Sequence, residues 1–294
     1  MTDTALTPSA APMAPVLRQR QWLATLRTAL GFTRTRVGLL IFVVMVLIAL
    51  LGPLFAPHSP TEFVGAPNSS STGLFGTDTL GRDVFSRFLY GGRSVLGLAA
   101  AATAFGVALG VAIGLAAAYA GGVADEVLMR IADVFLAFPQ IVLALLVVTA
   151  FGPKLWLIIL TVAISHSPRV ARVMRGAALQ VVERDFVRAA EAVGEKRSRI
   201  LFAELLPNVT SPLLVETGLR LTYSIGLMAG ISFLGLGLQP PHADWGLMIN
   251  ENRLDVTVQP WAVLLPVLAI ALLTVGTNLV TDGVARASIG VDRS

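Results

Sequence analysis

Long apolar runs separated by short polar segments dominate this sequence. The first run, Val37–Phe55, has 19 residues without a charge, about the length that spans the apolar core of a bilayer. The later runs that we predict as spanning helices are Val95–Tyr119, Val134–Phe151, Leu155–Ser167, Leu213–Leu238 and Trp261–Val280. The pattern therefore predicts an all-α, polytopic membrane protein with six transmembrane helices.

The ends of these runs divide the chain into successive parts. The predicted parts are an N-terminal tail (1–36), the first span (37–56), an outer loop (57–93), a core with the other spans (94–282) and a C-terminal tail (283–294). The core includes a polar loop at 168–209. The fourth run is short and ends at Pro168, where we expect its helix to kink and continue beyond the membrane.

Two outer segments carry amphipathic patterns. From Arg82 to Arg93 the apolar residues share one helical face, so we expect an amphipathic helix that lies on the membrane surface. The run Met248–Leu254, which follows Trp245, is expected to dip into the interface. Contact of this run with an extracytoplasmic partner is the alternative.

Lysine and arginine are concentrated on one predicted side of the membrane. The basic residues before the first run are Arg18, Arg20, Arg27, Arg34 and Arg36. The polar loop holds the largest group. Because cytoplasmic segments carry such an excess, we predict a multi-pass protein of the cytoplasmic membrane with both termini and the polar loop inside. The first run is too long for a cleaved signal peptide, so we expect it to remain as an anchor.

Composition agrees with a membrane protein and excludes several function classes. The chain is 55% hydrophobic and 14% charged, and it has no cysteine for disulfides or thiolate sites. His58, His166 and His242 lie far apart, so we predict no metal site and interpret them as loop and membrane-boundary residues. The net charge is +4, but basic residues alternate with acids and lack interleaved aromatics, which argues against nucleic acid.

The polar loop contains the most informative local pattern. At helical period, Phe186, Ala189, Ala190 and Val193 form a narrow apolar face. Gly194 then predicts a turn, and a second helix is expected from near Ser198 to Pro207. Because a loop without a function is usually short, we interpret this helix–turn–helix as a docking surface for a cytoplasmic protein.

A stripe of small residues marks one face of the second predicted span. Gly106, Gly110 and Gly114 recur at intervals of four, between Ala102 and Ala118, so another helix backbone can approach closely. The stripe is either packing within this chain or a seam along which helices or a partner subunit slide. The sequence leaves both interpretations open.

Ionisable residues within or near the spans are the other candidates, because burying charge in a membrane is costly. These residues are Asp133, Glu216, Arg220 and Asp282. Glu216 and Arg220 are four apart on one helix, which favours an intrahelical ion pair. A role facing a translocation cavity is the alternative. We find no arrangement of catalytic residues.

The polar loop resembles the EAA loop of ABC-importer permeases. Ala189, Ala190, Gly194, Leu206 and Pro207 match the family's pattern, whereas Arg188 replaces the expected glutamate and Glu204 replaces an apolar residue. The segments FGTDTLGRDVFSRFLYGGRS, YAGGVADEVLMRIADVFLAFPQIVLALL and ISFLGLGLQPPHADWGLMI resemble, in order, the C-type subunit of the dipeptide/oligopeptide branch. The resemblance covers most of the chain from Thr35 onward.

The resemblance implies an ABC type I importer permease fold and the import of di- or oligopeptides. Its implied partners are a homologous B-type permease, two cytoplasmic ATPases that dock on the loop, and an extracytoplasmic substrate-binding protein. ATP and magnesium would bind the ATPases, with no cofactor on this chain. The sequence agrees, because its lysines, Lys154 and Lys196, precede Leu155 and Arg197 and not the hydroxyl residue that a Walker A loop needs.

Several alternatives remain open at this point. Similar permeases also carry nickel chelates, glutathione or opines, and the permease sequence does not discriminate among them. A secondary transporter would require an ion relay and commonly inverted repeats, and we recognise neither in the sequence. An intramembrane hydrolase would require a nucleophile and base within the spans, and no such pair is evident.

Overall fold

The computed structural model describes residues 21–291 of the chain, and the side chains of residues 23–289. Apart from two isolated bridge pairs, the described residues form helices and connecting segments. The helices are α1 (Gln21–Gly31), α2 (Thr33–Leu51), α3 (Val84–Ala120), α4 (Gly122–Leu136), α5 (Gln140–Phe151), α6 (Leu155–Val182), α7 (Asp185–Ala192), α8 (Arg197–Arg199), α9 (Leu206–Asn208), α10 (Thr210–Phe233), α11 (Trp245–Asn252) and α12 (Trp261–Val291). Short 3-10 turns lie at Gly52–Phe55 and Arg253–Asp255, and a π-helical segment lies at Ile200–Leu205.

Four helical segments are long and apolar enough to cross a membrane: Thr33–Phe55, Val84–Ala120, Leu155–Val182 and Trp261–Ile289. The pair α4 and α5 is bent by 79° and adds a fifth crossing if the pair is one span. The 24 residues of α10 extend about 36 Å at 1.5 Å per residue, long enough to be the sixth, although α10 carries a buried ion pair. The arrangement confirms the all-α, multi-span fold and is compatible with six crossings.

The predicted surface helix before the second span is instead the first part of α3. This helix runs without a break from Val84 to Ala120, and Asp83 caps it by accepting a hydrogen bond from the Ser86 N–H. Arg87 is fully buried. Because acidic partners surround its guanidinium, the polar face of this segment is covered by protein as well as the apolar one.

Parts of the predicted tails are helical and packed. Among residues 21–36, α1 and the start of α2 lie against α12, and Ala29 contacts Val284 and Ala287 in a small apolar cluster. Thr35 lies against Gly283, where any added Cβ would clash with the threonine hydroxyl. Small side chains thus let the two ends of the described chain approach closely. Arg18 and Arg20 lie outside the described residues.

The helix α6 passes through Pro168 without interruption and packs along α3. A proline removes one helical hydrogen bond, but here the helix continues because α6 is packed along α3 on both sides of Pro168. Pro139 has the stronger effect, since it lies at the break between α4 and α5. The cytoplasmic continuation predicted after residue 168 is therefore part of the same long helix.

The outer segment between α10 and α12 is folded into the bundle. Trp245 is fully buried, its ring stacks on Phe88 at 5.8 Å between centroids, and its indole N–H donates to the Phe88 carbonyl at 2.9 Å. Trp245, at the start of α11, is therefore anchored inside the protein. The indole finds both an apolar neighbour and a hydrogen-bond acceptor inside the protein, which the interface would otherwise provide.

Candidate docking site

The helix α7 is the first half of the predicted helix–turn–helix. It is attached to the bundle through Val187, which is fully buried in a cluster with Val170, Met174 and Leu205. The face that the sequence marked as apolar points elsewhere. Phe186 is 40% exposed and Val193 is 82% exposed. Most of the apolar helical face is thus presented to the outside, because Val187 at another angle, together with the half-buried Ala190, fixes the helix to the protein.

Gly194 forms the turn between the two halves. Its φ is +80°, in the left-handed region that favours glycine. The Gly194 N–H donates to the Glu191 carbonyl at 2.9 Å, and the Glu195 N–H donates to the Ala190 carbonyl at 3.1 Å. These two bonds are those of a Schellman motif, which satisfies the last carbonyls of α7 and reverses the chain.

The second half runs from α8 through the π-helical segment to α9. The predicted single helix from Ser198 to Pro207 is confirmed in extent but is wider in its middle, where the segment Ile200–Leu205 has π geometry. Ile200 and Leu205 are buried in the same cluster as Val187. π turns are frequent at functional sites, because they redirect side chains without ending the helix.

A groove of about 300 Å³ lies between the two halves. We call its lining the docking surface, and it consists of Phe186, Ala189, Ala190, Val193, Glu195, Arg199, Ile200 and Glu204. Its floor is apolar, and a Glu195–Arg199 ion pair of 3.0 Å lies at its rim. An apolar centre with a charged rim is typical of protein–protein contacts.

Some of the predicted loop residues line the groove, and others lie outside it. Ala189 is exposed, Ala190 is half-buried, and both line the groove, whereas Arg188 is exposed on α7 outside it. Leu206 is half-buried and packs against the apolar cluster, next to Pro207 at the start of α9. Glu204, in place of an apolar residue, lines the groove and adds an acidic group there.

The stripe of small residues packs against α6 of this same chain. A Cβ added at Gly106 would lie 2.9 Å from the Ala163 carbonyl oxygen, and one at Gly110 would lie 2.7 Å from the Ser167 carbonyl oxygen. A Cβ at Gly114 would lie 2.9 Å from Met174 Cβ. The structure therefore places this stripe in the contact between α3 and α6.

The candidate charged residues do not form one site. The Asp133 carboxylate pairs with Arg172, and Glu216 Oε1 lies 2.9 Å from Arg220 Nε in a buried pair within α10. The Arg220 guanidinium lies over the ring of Tyr223, with the Arg220 Cζ 5.1 Å from the ring centroid. Asp282 lies apart from these residues, on α12. No group of acidic and histidine residues in the described part of the chain could hold a metal ion.

His166 was interpreted from the sequence as a boundary residue, but it is fully buried between helices. Its Nε2 lies 3.0 Å from Ser224 Oγ, which accepts a 2.9 Å hydrogen bond from Thr103 Oγ1. Gln140, at the start of α5, donates to the Ser165 carbonyl at 3.1 Å and lies 3.4 Å from His166 Nδ1. This network joins α3, α5, α6 and α10.

A buried ionic cluster in the predicted outer loop was also missed. Arg82 pairs with Asp78 at 2.7 Å and with Glu251 at 3.0 Å, and Glu251 pairs with Arg87 at 2.6 Å. The cluster joins the outer loop to α11. Alternating charges at Asp78, Arg82 and Asp83 were the only local signal.

Comparisons with known proteins agree on one family. The description "Binding-protein-dependent transport system inner membrane component" matches residues 106–289, and "N-terminal TM domain of oligopeptide transport permease C" matches residues 35–70. Together these two matches extend over most of the described chain.

Curated relatives match over most of their own length. A dipeptide transport system permease protein DppC of Alkalihalophilus pseudofirmus is 37% identical over 256 residues, which cover 85% of this chain and 84% of that protein. A glutathione transport system permease protein GsiD of Escherichia coli O6:K15:H31 is 38% identical over 252 residues, which cover 84% and 83%.

A solved structure shares the fold. The inward-facing MetNI methionine ABC transporter matches with a TM-score of 0.51 at 18% identity, covering 67% of this chain and 96% of that chain. At this level of identity the likeness concerns the arrangement of helices alone.

Proposed function

Because this chain belongs to the family of binding-protein-dependent transport system inner membrane components, we propose that it is the C-type permease subunit of an ATP-driven importer of di- or oligopeptides. The family consists of multi-pass permeases of the inner membrane that are not themselves catalytic and that work with ATPase and permease partners. The dipeptide and glutathione permeases that it resembles support a short peptide as cargo.

The exposed apolar face of α7 is the observation that carries the proposal. It lies beside a turn that only glycine forms without strain, and it borders a groove of suitable size for a few side chains. In our proposal, a cytoplasmic ATPase subunit covers the docking surface, and closure of two such ATPases moves α7 and the helices packed on it. ATP and magnesium bind those subunits, and this chain binds no cofactor.

The finer arrangement is part of the same proposal. The partner permease is the homologous B-type subunit, so that the translocation path lies between two related chains. An extracytoplasmic binding protein delivers cargo at the face that includes the outer loop and α11. The N- and C-termini lie on the cytoplasmic side, as the distribution of lysine and arginine supports.

A second cargo is favoured by a specific observation. The glutathione permease is as similar to this chain as the dipeptide permease is, at 38% against 37% identity. Glutathione is itself a short peptide, so the same path could carry it. Competition between labelled dipeptide and unlabelled glutathione in an uptake assay would separate the two, because the true cargo displaces the other at lower concentration.

Two identical substitutions on α7 test the docking surface. Ala189 and Ala192 are both exposed, but only Ala189 lines the groove. We expect Ala189→Asp to abolish peptide uptake, because it puts an unpaired charge into the apolar contact with the ATPase. Ala192→Asp adds the same charge to the same helix and should leave uptake near the level of the unchanged protein.

Membrane insertion of both variants is measured by quantifying the chain in washed membranes. Gly194→Asp is the companion variant, and it should also abolish uptake while inserting normally. Equal uptake by the Ala189→Asp and Ala192→Asp proteins would contradict docking through this face.

A further inference from the structure

A second cavity lies between the N-terminal turn of α2 and α12. Its volume is about 200 Å³, and Phe32, Arg34, Thr35, Asp282 and Arg286 are among the residues that line it. The mechanism proposed above uses none of these groups. The cavity lies at Thr33, the first residue of the first membrane-spanning segment, and hence at the edge of the bilayer.

One end of this cavity offers hydrogen-bond donors without acceptors. The helix α2 begins after Phe32, whose side chain gives no cap, and its first helical bond runs from the Arg36 N–H to the Phe32 carbonyl. The N–H groups of the first turn therefore have no acceptor within the helix. The N-terminus of α2, a helix of 19 residues, attracts an anion. This feature alone is common to many helices.

Thr35 supplies an independent observation. Its side chain is 2% exposed and lines the cavity, and within the described part of the chain its Oγ1 has no hydrogen-bond partner. A buried hydroxyl without a partner is costly. The Thr35 hydroxyl and the N–H groups of the uncapped first turn lie side by side. Together they indicate a bound group that accepts hydrogen bonds from both.

The charged groups around the cavity are also unpaired. Among the described residues, neither Arg34 nor Arg286 has a carboxylate within ion-pair distance, and Asp282 has no cationic partner although Arg286 is one turn away. The neighbouring Arg36 is different, since its Nε donates to the Leu30 carbonyl at 2.7 Å. The cavity thus combines two positive groups and one negative group, each available to something else.

The surroundings indicate a lipid. Leu40 and Val44 follow the cavity along α2 and are 65% and 42% exposed, and Val275 and Leu272 follow it along α12 and are 48% and 45% exposed. These side chains extend from the cavity into the region that a bilayer covers. A molecule with a polar end and apolar chains fits both features: the polar end would bind the charged groups of the cavity, and the chains would cover the exposed apolar side chains of α2 and α12. Basic pockets between membrane helices are recurrent sites for phospholipid head groups.

We propose that this cavity binds the head group of a phospholipid with a phosphate and an ammonium, of the phosphatidylethanolamine class. The phosphate accepts hydrogen bonds from Arg34, Arg286, Thr35 and the first turn of α2. The ammonium donates to the carboxylate of Asp282. The bound lipid joins the start of α2 to α12 at the edge of the membrane.

Binding is tested with the full chain, assembled with its partner subunits in nanodiscs of phosphatidylethanolamine, phosphatidylglycerol and phosphatidylcholine. Native mass spectrometry after release from the nanodisc counts the retained phosphatidylethanolamine. We expect Arg34→Gln and Arg286→Gln each to weaken retention about tenfold, since one charge-assisted hydrogen bond corresponds to about a decade in binding. Arg130→Gln, which removes an exposed charge on α4, is the matched control and should not change retention.

Two further variants separate lipid binding from a structural role. Thr35→Val keeps the shape but removes a hydroxyl that has no partner among the described residues, so it should lower retention without lowering the melting temperature of the lipid-free chain in detergent. Asp282→Asn should remove the preference for phosphatidylethanolamine over phosphatidylglycerol while leaving the phosphate contacts. Excess inorganic phosphate should not displace the lipid.

Each result decides the proposal. Retention that falls with Arg34→Gln, Arg286→Gln and Thr35→Val, but not with Arg130→Gln, supports it. Unchanged retention in the arginine variants, or displacement by inorganic phosphate, would overturn the lipid site. Tighter retention of phosphatidylglycerol than of phosphatidylethanolamine by the unchanged protein would overturn the head-group assignment.

Discussion

Loss of Glu251 should destabilise the contact between the predicted outer loop and α11. The Glu251 carboxylate is 13% exposed and is shared by Arg82 and Arg87, which are 3% and 0% exposed. The variant Glu251→Gln keeps the size of the side chain and removes its charge. Among the described residues, Asp78 is then the one acid left within ion-pair distance of the two buried guanidinium groups.

The expected cost follows from this burial. Removing one partner of a buried ion pair destabilises a protein by about 3–5 kcal/mol, because the remaining charge has neither water nor a counter-charge. The amide of the Glu251→Gln variant would still offer one acceptor oxygen, so we expect the lower half of that range. By comparison, Glu126→Gln breaks an exposed pair with Arg130 at 3.8 Å, and a surface pair contributes at most about 1 kcal/mol.

Thermal unfolding of the purified chain in one detergent measures both variants. At about 2–4 °C per kcal/mol for chains of comparable size, Glu251→Gln should lower the melting temperature by roughly 6–16 °C and Glu126→Gln by at most about 4 °C. Adding Arg87→Met to Glu251→Gln should recover stability, since it removes the unpaired charge. A double variant less stable than Glu251→Gln, or equal effects of Glu251→Gln and Glu126→Gln, would refute this reasoning.

Three other predictions concern buried positions. Gly110→Val should lower stability by about 1–3 kcal/mol, measured by thermal unfolding, because its new methyl groups would overlap Val170 and the α6 backbone. Burial raises the pKa of Asp244, so the native state favours the protonated carboxyl and loses stability as pH rises through that raised pKa. Asp244→Asn should remove this loss in melts across an acid-to-neutral pH series; an unchanged pH dependence would contradict it. Glu216→Gln alone should destabilise the chain more than Glu216→Gln combined with Arg220→Gln, and the reverse order would contradict a paired α10.

Local patterns in the sequence were sufficient for the existence of the long apolar helices and for the turn at Gly194. An apolar run of bilayer length forms a helix whatever it packs against, because its backbone must satisfy its own hydrogen bonds. Gly194 was recognisable because a left-handed turn between two amphipathic segments has few alternatives to glycine. The apolar face of α7 was likewise readable, since helical period determines which residues share a face.

The burial of Arg87, His166 and Trp245 could not be predicted from local sequence patterns. Arg87 meets Glu251 across 164 residues, and the Trp245 indole meets the Phe88 carbonyl across 157. An arginine in an amphipathic segment has the same local sequence whether its partner is water or a distant carboxylate. Only the packing of α3 against α11 decides that, and packing depends on every helix in the bundle.

The docking of an ATPase on α7 is most directly tested by cross-linking, because the chain contains no cysteine. A single Ala189→Cys variant is assembled with its partner subunits, and a short cysteine-to-lysine reagent is added. We predict a product of the summed mass of this chain and the ATPase. Leu254→Cys, at an 84% exposed position in the outer segment, should give no such product. A transport-competent complex in which Ala189→Cys gives no link to the ATPase, or in which Leu254→Cys links as well, would contradict the account.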